Sequence, residues 1–166
     1  MVTAGAVLPD VPAIAFHAYY RLIRHWPEEM IQRTGVINPW KTATMVLHAF
    51  PVWLVLLGVA AWRRWTLPTA LAATLLLHAA LDLPVHHGDA LRQLWPISNY
   101  RFISPVSYWD PNFHAAWVRL VELSMLLGAT WLLWRRYHSP WLRTALVITN
   151  AVMAAALLTG RLFWSL

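Results

Sequence analysis

The chain has 166 residues, of which 59% are hydrophobic and only 12% are charged, and its mean hydropathy is +0.48. A soluble domain has about a quarter of its residues charged, so this composition predicts an integral membrane protein.

The net charge of +6 comes mainly from arginines at the ends of apolar runs, where they reach lipid headgroups. No basic arm typical of nucleic-acid binding is present in the sequence. Cysteine is absent, which excludes thiolate metal sites and a cysteine nucleophile.

The first apolar run, residues 2–20, holds Asp10 between Pro9 and Pro12. Two prolines this close together interrupt a helix and free backbone polar groups. Irregular backbone at membrane depth is tolerated where it faces protein or a water-filled cavity. We therefore expect the first segment to be kinked or re-entrant.

Four further runs are apolar enough to form membrane helices. They are residues 42–62, 67–83, 115–134 and 144–160. With the first run they predict an all-α fold, an integral membrane helical bundle of about five hydrophobic segments. The length favours a single membrane-embedded helical domain over residues 1–166.

The stretch "LLLHAALDLPVHH", residues 75–87, places ionisable side chains at the end of an apolar run. His78 and Asp82 lie one helical turn apart, and His86 and His87 follow. An ionised carboxylate in the middle of a membrane helix costs about 2.5–3.5 kcal/mol on insertion scales. Ionisable residues at such positions therefore indicate a functional site.

Three histidines, His17, His48 and His78, lie in three different apolar runs at similar distances from their ends. Counted along regular helices, each lies about 10 Å from the same membrane face. His17 is the weakest candidate, because its surroundings also read as an interfacial aromatic stretch. Imidazole and carboxylate ligands suit Zn²⁺, Mn²⁺ or Fe²⁺. The residues predicted to bind a divalent metal ion are Asp10, His48, His78 and Asp82.

Several motifs in a fixed order are similar to those of a known family. "AVLPD", "LHAFPVWLVLLG" and "LLLHAALD" followed by "LWPISNYRF" resemble segments of the membrane-bound metal-dependent hydrolases, the YdjM-like inner-membrane proteins. That family shows Leu-Pro-Asp near the start, His-Ser opening a membrane helix, and His-x-x-x-Asp before a Trp-Pro or Phe-Pro segment. The matching positions here are Asp10, His48, His78 and Asp82, and Ala49 stands where the family has Ser. The resemblance covers residues 5–105 and implies a hydrolase of the bacterial inner membrane.

The leading hypothesis is a divalent-metal-dependent hydrolase that acts on a lipid or a lipid-linked ester or phosphoester at the membrane interface. The metal would activate water and polarise an acyl or phosphoryl oxygen. His86 or His87 would act as general acid or base, because histidine titrates near neutral pH. Arg92 and Arg101 would bind a phosphate group of the substrate.

Two other functions stay open at this point. The chain is short and rich in tryptophan, with 12 such residues, so it also fits a non-catalytic accessory subunit of a larger membrane complex. Alternatively, His48 and His78 would hold a haem iron or a chlorophyll magnesium, although the nearby carboxylates disfavour a macrocycle. The expected partners are membrane lipids and other membrane subunits, and no nucleic acid.

Overall fold

All the regular secondary structure in the described part of the chain is helical, as the sequence predicts. A computed structural model describes residues 2–27, 30–31, 39–108 and 110–159. The chain divides into two compact units, Met1–Pro105 and Val106–Leu166. The single domain over the whole length stays a prediction.

The first apolar segment is interrupted where its prolines predict. Helix α1 spans Val2–Val7, and helix α2 spans Val11–Ala18 and continues into a π-helical turn at Tyr19–Ile23. Pro12 lies in the first turn of α2. Backbone N–H groups in that turn have no partner within the helix, so a proline, which lacks the N–H, is tolerated there. Asp10 occupies the N-cap position, yet its side chain makes no capping hydrogen bond. Its carboxylate is therefore not used to cap α2.

The second apolar run, predicted as one span over residues 42–62, is bent. Helix α3 (Pro39–Leu47) and helix α4 (Phe50–Trp62) form a pair bent by 52°. Between them Ala49 has extended backbone, with φ −80° and ψ 108°. Pro51 in the first turn of α4 explains the break, because it has no N–H to bond the Leu47 carbonyl and its ring would clash with that carbonyl in a continuous helix.

The carbonyl groups freed by this break have a partner. The Trp53 indole N–H lies 3.1 Å from the Val46 oxygen and 2.9 Å from the Leu47 oxygen and donates to both. The Phe50 N–H donates to the Gln93 carbonyl at 2.8 Å, which ties the break to the loop after the next helix. These bonds satisfy backbone groups that would otherwise be costly away from water.

Helix α5 (Thr66–Asp82) is the central helix of the first unit and continues into a 3-10 turn at Leu83–Val85. It packs against both α1 and α4. Its buried residues are small or aliphatic: Ala72, Leu75 and Ala79. Small side chains allow close approach of neighbouring helices, so α1 and α4 are brought near the end of α5 that carries the ionisable residues.

The second unit consists mainly of two long helices. Helix α6 spans Ala115–Arg136 and helix α7 spans Pro140–Thr159. The Asn150 amide on α7 donates a 2.8 Å hydrogen bond to the Thr130 hydroxyl on α6. An interhelical polar bond of this kind is a common means of joining helices in an apolar medium.

Two helices in the described residues are long and apolar enough to cross a membrane. They are Thr66–Val85, which is α5 with its 3-10 turn, and α6, and the bent pair α3 and α4 would make a third. The bundle of five membrane segments is therefore not confirmed. The first segment falls short because its turn at Asp10 leaves α1 with six residues and α2 with eight.

Candidate metal centre

Four side chains from separate parts of the first unit meet at one place. Asp10 starts α2, His48 lies at the bend between α3 and α4, and His78 and Asp82 lie one turn apart on α5. Each offers one ligand atom, and these four atoms lie within 4.8 Å of one another. The cluster could hold a metal ion, and it contains the four residues that the sequence singled out.

One oxygen of Asp82 is the centre of this cluster. Its Oδ2 lies 3.1 Å from His48 Nε2 and 3.1 Å from His78 Nε2. Asp10 Oδ1 lies 3.7 Å from the same nitrogen of His78. Ligand atoms held about 2.1 Å from a single ion are about 3.0–4.2 Å apart, depending on the coordination angle. The three distances fall in that range.

The far side of each imidazole is held by a backbone carbonyl. His48 Nδ1 lies 2.7 Å from the Thr44 oxygen, and His78 Nδ1 lies 2.8 Å from the Ala6 oxygen. A carbonyl only accepts hydrogen bonds, so Nδ1 is the donor in both rings. In the neutral ring Nε2 then presents a lone pair to the cluster. Metal-binding histidines are oriented in the same manner by their second nitrogen.

His78 Nε2 gives a specific test of whether a cation fits. This nitrogen is buried and makes no well-aligned hydrogen bond within the described part of the chain, although Asp82 Oδ2 is only 3.1 Å away. The two atoms are near each other without the geometry that a shared proton requires. An ion between them needs no such alignment, so the donor set and the orphaned nitrogen fit a metal.

The positions of His48 and His78 also test the hypothesis that these two histidines bind a haem or a chlorophyll. The rings of His48 and His78 lie edge to face with centroids 5.2 Å apart, and both approach the same Asp82 oxygen. Axial ligation from both histidines would require a flat apolar ring between the two nitrogens. The carboxylate takes that space, which disfavours haem or chlorophyll.

Exposure decreases from one side of the cluster to the other. The His48 side chain is 2% exposed, His78 13% and Asp82 23%, whereas Asp10 is 51% exposed. Three ligand candidates are therefore held by the protein interior. The fourth borders the surface, so water or a small reacting group can approach the cluster from the Asp10 side.

The loop after α5 brings His86 beside the cluster. Its Nε2 is 3.8 Å from Asp82 Oδ2, and its Nδ1 is 2.6 Å from Asp89 Oδ2. Burial alone would lower the pKa of His86. The Asp89 hydrogen bond and the negative charges of Asp89, Asp82 and Asp10 outweigh burial and raise that pKa above its ordinary value.

His87 faces a different neighbour. Its Nδ1 lies 2.6 Å from the Ser104 carbonyl oxygen. Ser104 is almost fully buried; its hydroxyl donates to the Pro84 carbonyl, and its N–H donates to the His86 carbonyl at 3.1 Å. These contacts fasten the residues after α5 to a later part of the loop. The predicted general acid or base role of His87 stays a prediction.

The two arginines predicted to bind phosphate lie in the same loop. Arg92 donates to the Asn99 side-chain oxygen at 2.9 Å, and Arg101 is exposed. Neither belongs to the four-residue cluster, and neither does His17, which lies on α2. Their roles in binding substrate stay predictions.

Sequence reasoning missed the groups that orient the cluster. The carbonyls of Thr44 and Ala6 have no sequence signal, because any residue supplies a carbonyl. It also missed a polar pair in the second unit, where the Tyr108 hydroxyl donates to the Glu122 carboxylate. Burial and this hydrogen bond to Glu122 raise the pKa of Tyr108 above its usual range.

Comparison of the chain with protein-family models, with curated proteins and with solved structures finds no match. The cluster itself is therefore the basis for assigning a function.

Proposed function

We propose that this chain is a membrane-embedded, divalent-metal-dependent hydrolase. The observation that carries the proposal is the convergence of two imidazoles and two carboxylates on one point. Among the described residues, His78 Nε2 has two carboxylate oxygens within 3.7 Å but no well-aligned hydrogen bond. Buried polar atoms are almost always paired, and a divalent ion between His78 Nε2 and Asp82 would supply that partner and offset the cost of burying the carboxylate.

The exposure of one side of the cluster supports a catalytic rather than a purely structural ion. A divalent ion held by these residues would activate water and polarise an ester or phosphoryl oxygen. A catalytic site keeps a coordination position for water or substrate, so with four protein ligands the ion would be five- or six-coordinate. Here the ligand candidate on the open side, Asp10, is half-exposed, so it borders the side from which a reacting group would arrive.

The residues of this chain have distinct tasks in the proposed reaction. His48 and His78 would bind the ion through Nε2, each fixed by its Nδ1 hydrogen bond. Asp82 would lie between them and supply negative charge. Asp10, at the start of α2, would complete the set and border the substrate. Positioning by these rigid helix ends is what holds the reacting groups in productive geometry.

The substrate is proposed from the setting of the cluster. Asp82 and the adjoining 3-10 turn lie at the end of a helix that can cross a membrane, where hydrocarbon meets headgroups. A lipid or a lipid-linked ester or phosphoester places its polar bond at that level. We place the protein in the bacterial inner membrane, as the family resemblance implies, with Arg92 and Arg101 as candidate phosphate contacts.

The first experiment measures metal content and hydrolysis in one preparation. Detergent-purified wild type is compared with Asp82→Asn and His78→Gln, and with His138→Gln, an exposed histidine of the second unit, as the control. We expect near-stoichiometric Zn, Mn or Fe in wild type and control and little in the two cluster variants. Metal-dependent hydrolysis of a diacyl phospholipid or a polyprenyl phosphoester in mixed micelles should follow the same pattern.

Two results would overturn the proposal. Folded wild-type protein that binds no divalent metal would exclude the metal site. Bound metal without turnover of either substrate class would exclude the hydrolase and favour the accessory subunit, in which the cluster has a structural role. Size-exclusion chromatography of each variant establishes that folding is intact before the metal content is compared.

A further inference from the structure

We propose that His86 is a third imidazole ligand of the metal and that Asp89 is the residue that positions it. This inference rests on the proposed metal site and deepens it. It assigns His86 to binding the ion rather than to the general acid or base role that the sequence predicts. It also gives the loop after α5 a task in completing the site.

The first argument is the geometry of the His86 ring. Its Nε2 lies 3.8 Å from Asp82 Oδ2, the oxygen that His48 and His78 also face. That separation is within the range of about 3.0–4.2 Å expected for two ligands of one ion. His86 lies outside the group of four ligand atoms that are within 4.8 Å of one another, so its binding as a further ligand requires its ring to move toward the other ligands. Three imidazoles therefore present Nε2 to the same oxygen, from the helix bend, from α5 and from the loop.

The second argument is what holds the other ring nitrogen. His86 Nδ1 lies 2.6 Å from Asp89 Oδ2, so the ring connects one carboxylate to the cluster through its two nitrogens. A carboxylate on the far nitrogen of a metal-bound histidine fixes its tautomer and strengthens it as a ligand. His86 thus has the same arrangement as His48 and His78, with a carboxylate in place of the carbonyl.

The third argument is that the loop is held where this contact requires. The Ser104 hydroxyl and N–H bond the carbonyls of Pro84 and His86, and Ser104 itself is 1% exposed. The His86 side chain is 19% exposed, so its ring is largely removed from solvent. A general acid or base needs access to substrate through a free nitrogen, whereas both nitrogens of His86 face carboxylates.

The test counts metal-bound imidazoles directly in the unmodified full chain. Cobalt(II) shifts the NMR signals of its ligands far outside the normal range, and each histidine bound through Nε2 keeps an exchangeable Nδ1–H. All three Nδ1–H groups are hydrogen-bonded here, to Thr44, Ala6 and Asp89, which slows their exchange with water. We expect three exchangeable shifted signals from the cobalt-loaded wild type.

Variants assign the signals. His86→Gln should remove one signal and leave two, and the exposed control His138→Gln should remove none. Asp89→Asn should keep three signals but speed the exchange of one, and it should weaken cobalt binding about 10- to 100-fold, as loss of an orienting partner does. A merely structural Asp89 would leave that exchange rate unchanged.

The outcomes separate this inference from the proposed function. Two shifted imidazole signals in the wild type, with cobalt bound, overturn the role of His86 while the metal site stands. Unchanged affinity and exchange in Asp89→Asn overturn its positioning role. Failure of the folded wild type to bind cobalt at all overturns the metal site and this inference with it.

Discussion

Gly5 lies directly against Thr74, and a Cβ added to this glycine would come within 2.8 Å of the Thr74 Cβ and 3.1 Å of the Leu71 carbonyl oxygen. Helix α1 therefore approaches α5 as closely as a backbone can. The next residue along α1 is Ala6, whose carbonyl holds His78 Nδ1 at 2.8 Å. The absence of a side chain at Gly5 thus determines how one ligand candidate of the metal centre is oriented.

Enlarging Gly5 should loosen the metal centre without touching any ligand. Gly5→Val forces α1 away from α5, so the Ala6 carbonyl can no longer hold the His78 ring. We expect metal affinity to fall about 10- to 100-fold, the usual effect of losing an orienting hydrogen bond. Isothermal titration calorimetry with Zn²⁺ measures this affinity in the detergent-purified protein.

Gly58 provides the matched control, because it also lies within a helix but has open space where a Cβ would be added. Gly58→Ala should leave Zn²⁺ affinity unchanged and raise stability by up to about 1 kcal/mol, since alanine favours helix. Equal affinity in Gly5→Val and wild type would show that the close contact with α5 does not orient His78.

The four residues of the cluster could be predicted from the sequence because ionisable residues are rare in apolar runs. Asp10, His48, His78 and Asp82 each stand out against hydrophobic neighbours, and the cost of burying them implies a shared partner. The turn at Asp10 followed from its flanking prolines by the same local reasoning. These features depend on single residues whose chemistry is specific, so they could be predicted.

The bend at His48 was not predicted. The run 42–62 contains no charge, and hydropathy alone favours one straight span. The break depends on Pro51 together with two hydrogen bonds, one from the Trp53 indole to the Leu47 carbonyl and one from the Phe50 N–H to the Gln93 carbonyl. The second bond joins residues far apart in sequence, and hydrophobic periodicity carries no information about either bond.

Trp53 should be important for the bent pair of helices. Trp53→Phe keeps the aromatic ring but removes the N–H that bonds the Val46 and Leu47 carbonyls. The Val46 carbonyl still accepts from the Ala49 N–H, whereas the Leu47 carbonyl loses its bond to the indole, which should lower the free energy of unfolding by about 1–3 kcal/mol. Trp62→Phe, at a site 76% exposed, should change it by less than about 0.5 kcal/mol. Thermal unfolding followed by circular dichroism compares the two variants. Equal losses of stability would contradict the role of the Trp53 indole hydrogen bond.

Tyr108 should remain protonated at a pH where an ordinary tyrosine ionises. Burial and the Glu122 carboxylate raise its pKa, so the neutral phenol is favoured in the folded protein. Its contribution to stability is fully present below the unfolded value of about 10 and is lost as pH rises through the higher folded value. Ultraviolet titration of phenolate absorbance measures this.

Variants isolate the Tyr108 signal from the other four tyrosines of the chain. Tyr108→Phe should remove absorbance only above pH of about 10. Glu122→Gln removes the negative charge and should move that component to lower pH. A Tyr108 component that appears below pH of about 10 in the wild type would show that the hydroxyl does not bond Glu122 as described.

Metal binding should stabilise the folded chain, and Asp82 should be required for it. An ion that binds only the folded state adds about 2.7 kcal/mol at a free concentration 100 times its dissociation constant. We expect Zn²⁺ to raise the melting temperature of the wild type, and of His138→Gln, in a concentration-dependent manner. Asp82→Asn keeps the shape of the side chain but removes the charge at the centre of the cluster, so its melting temperature should not respond. A similar rise in Asp82→Asn would mean that binding does not need the negative charge of Asp82, which would contradict the place of this carboxylate at the centre of the site.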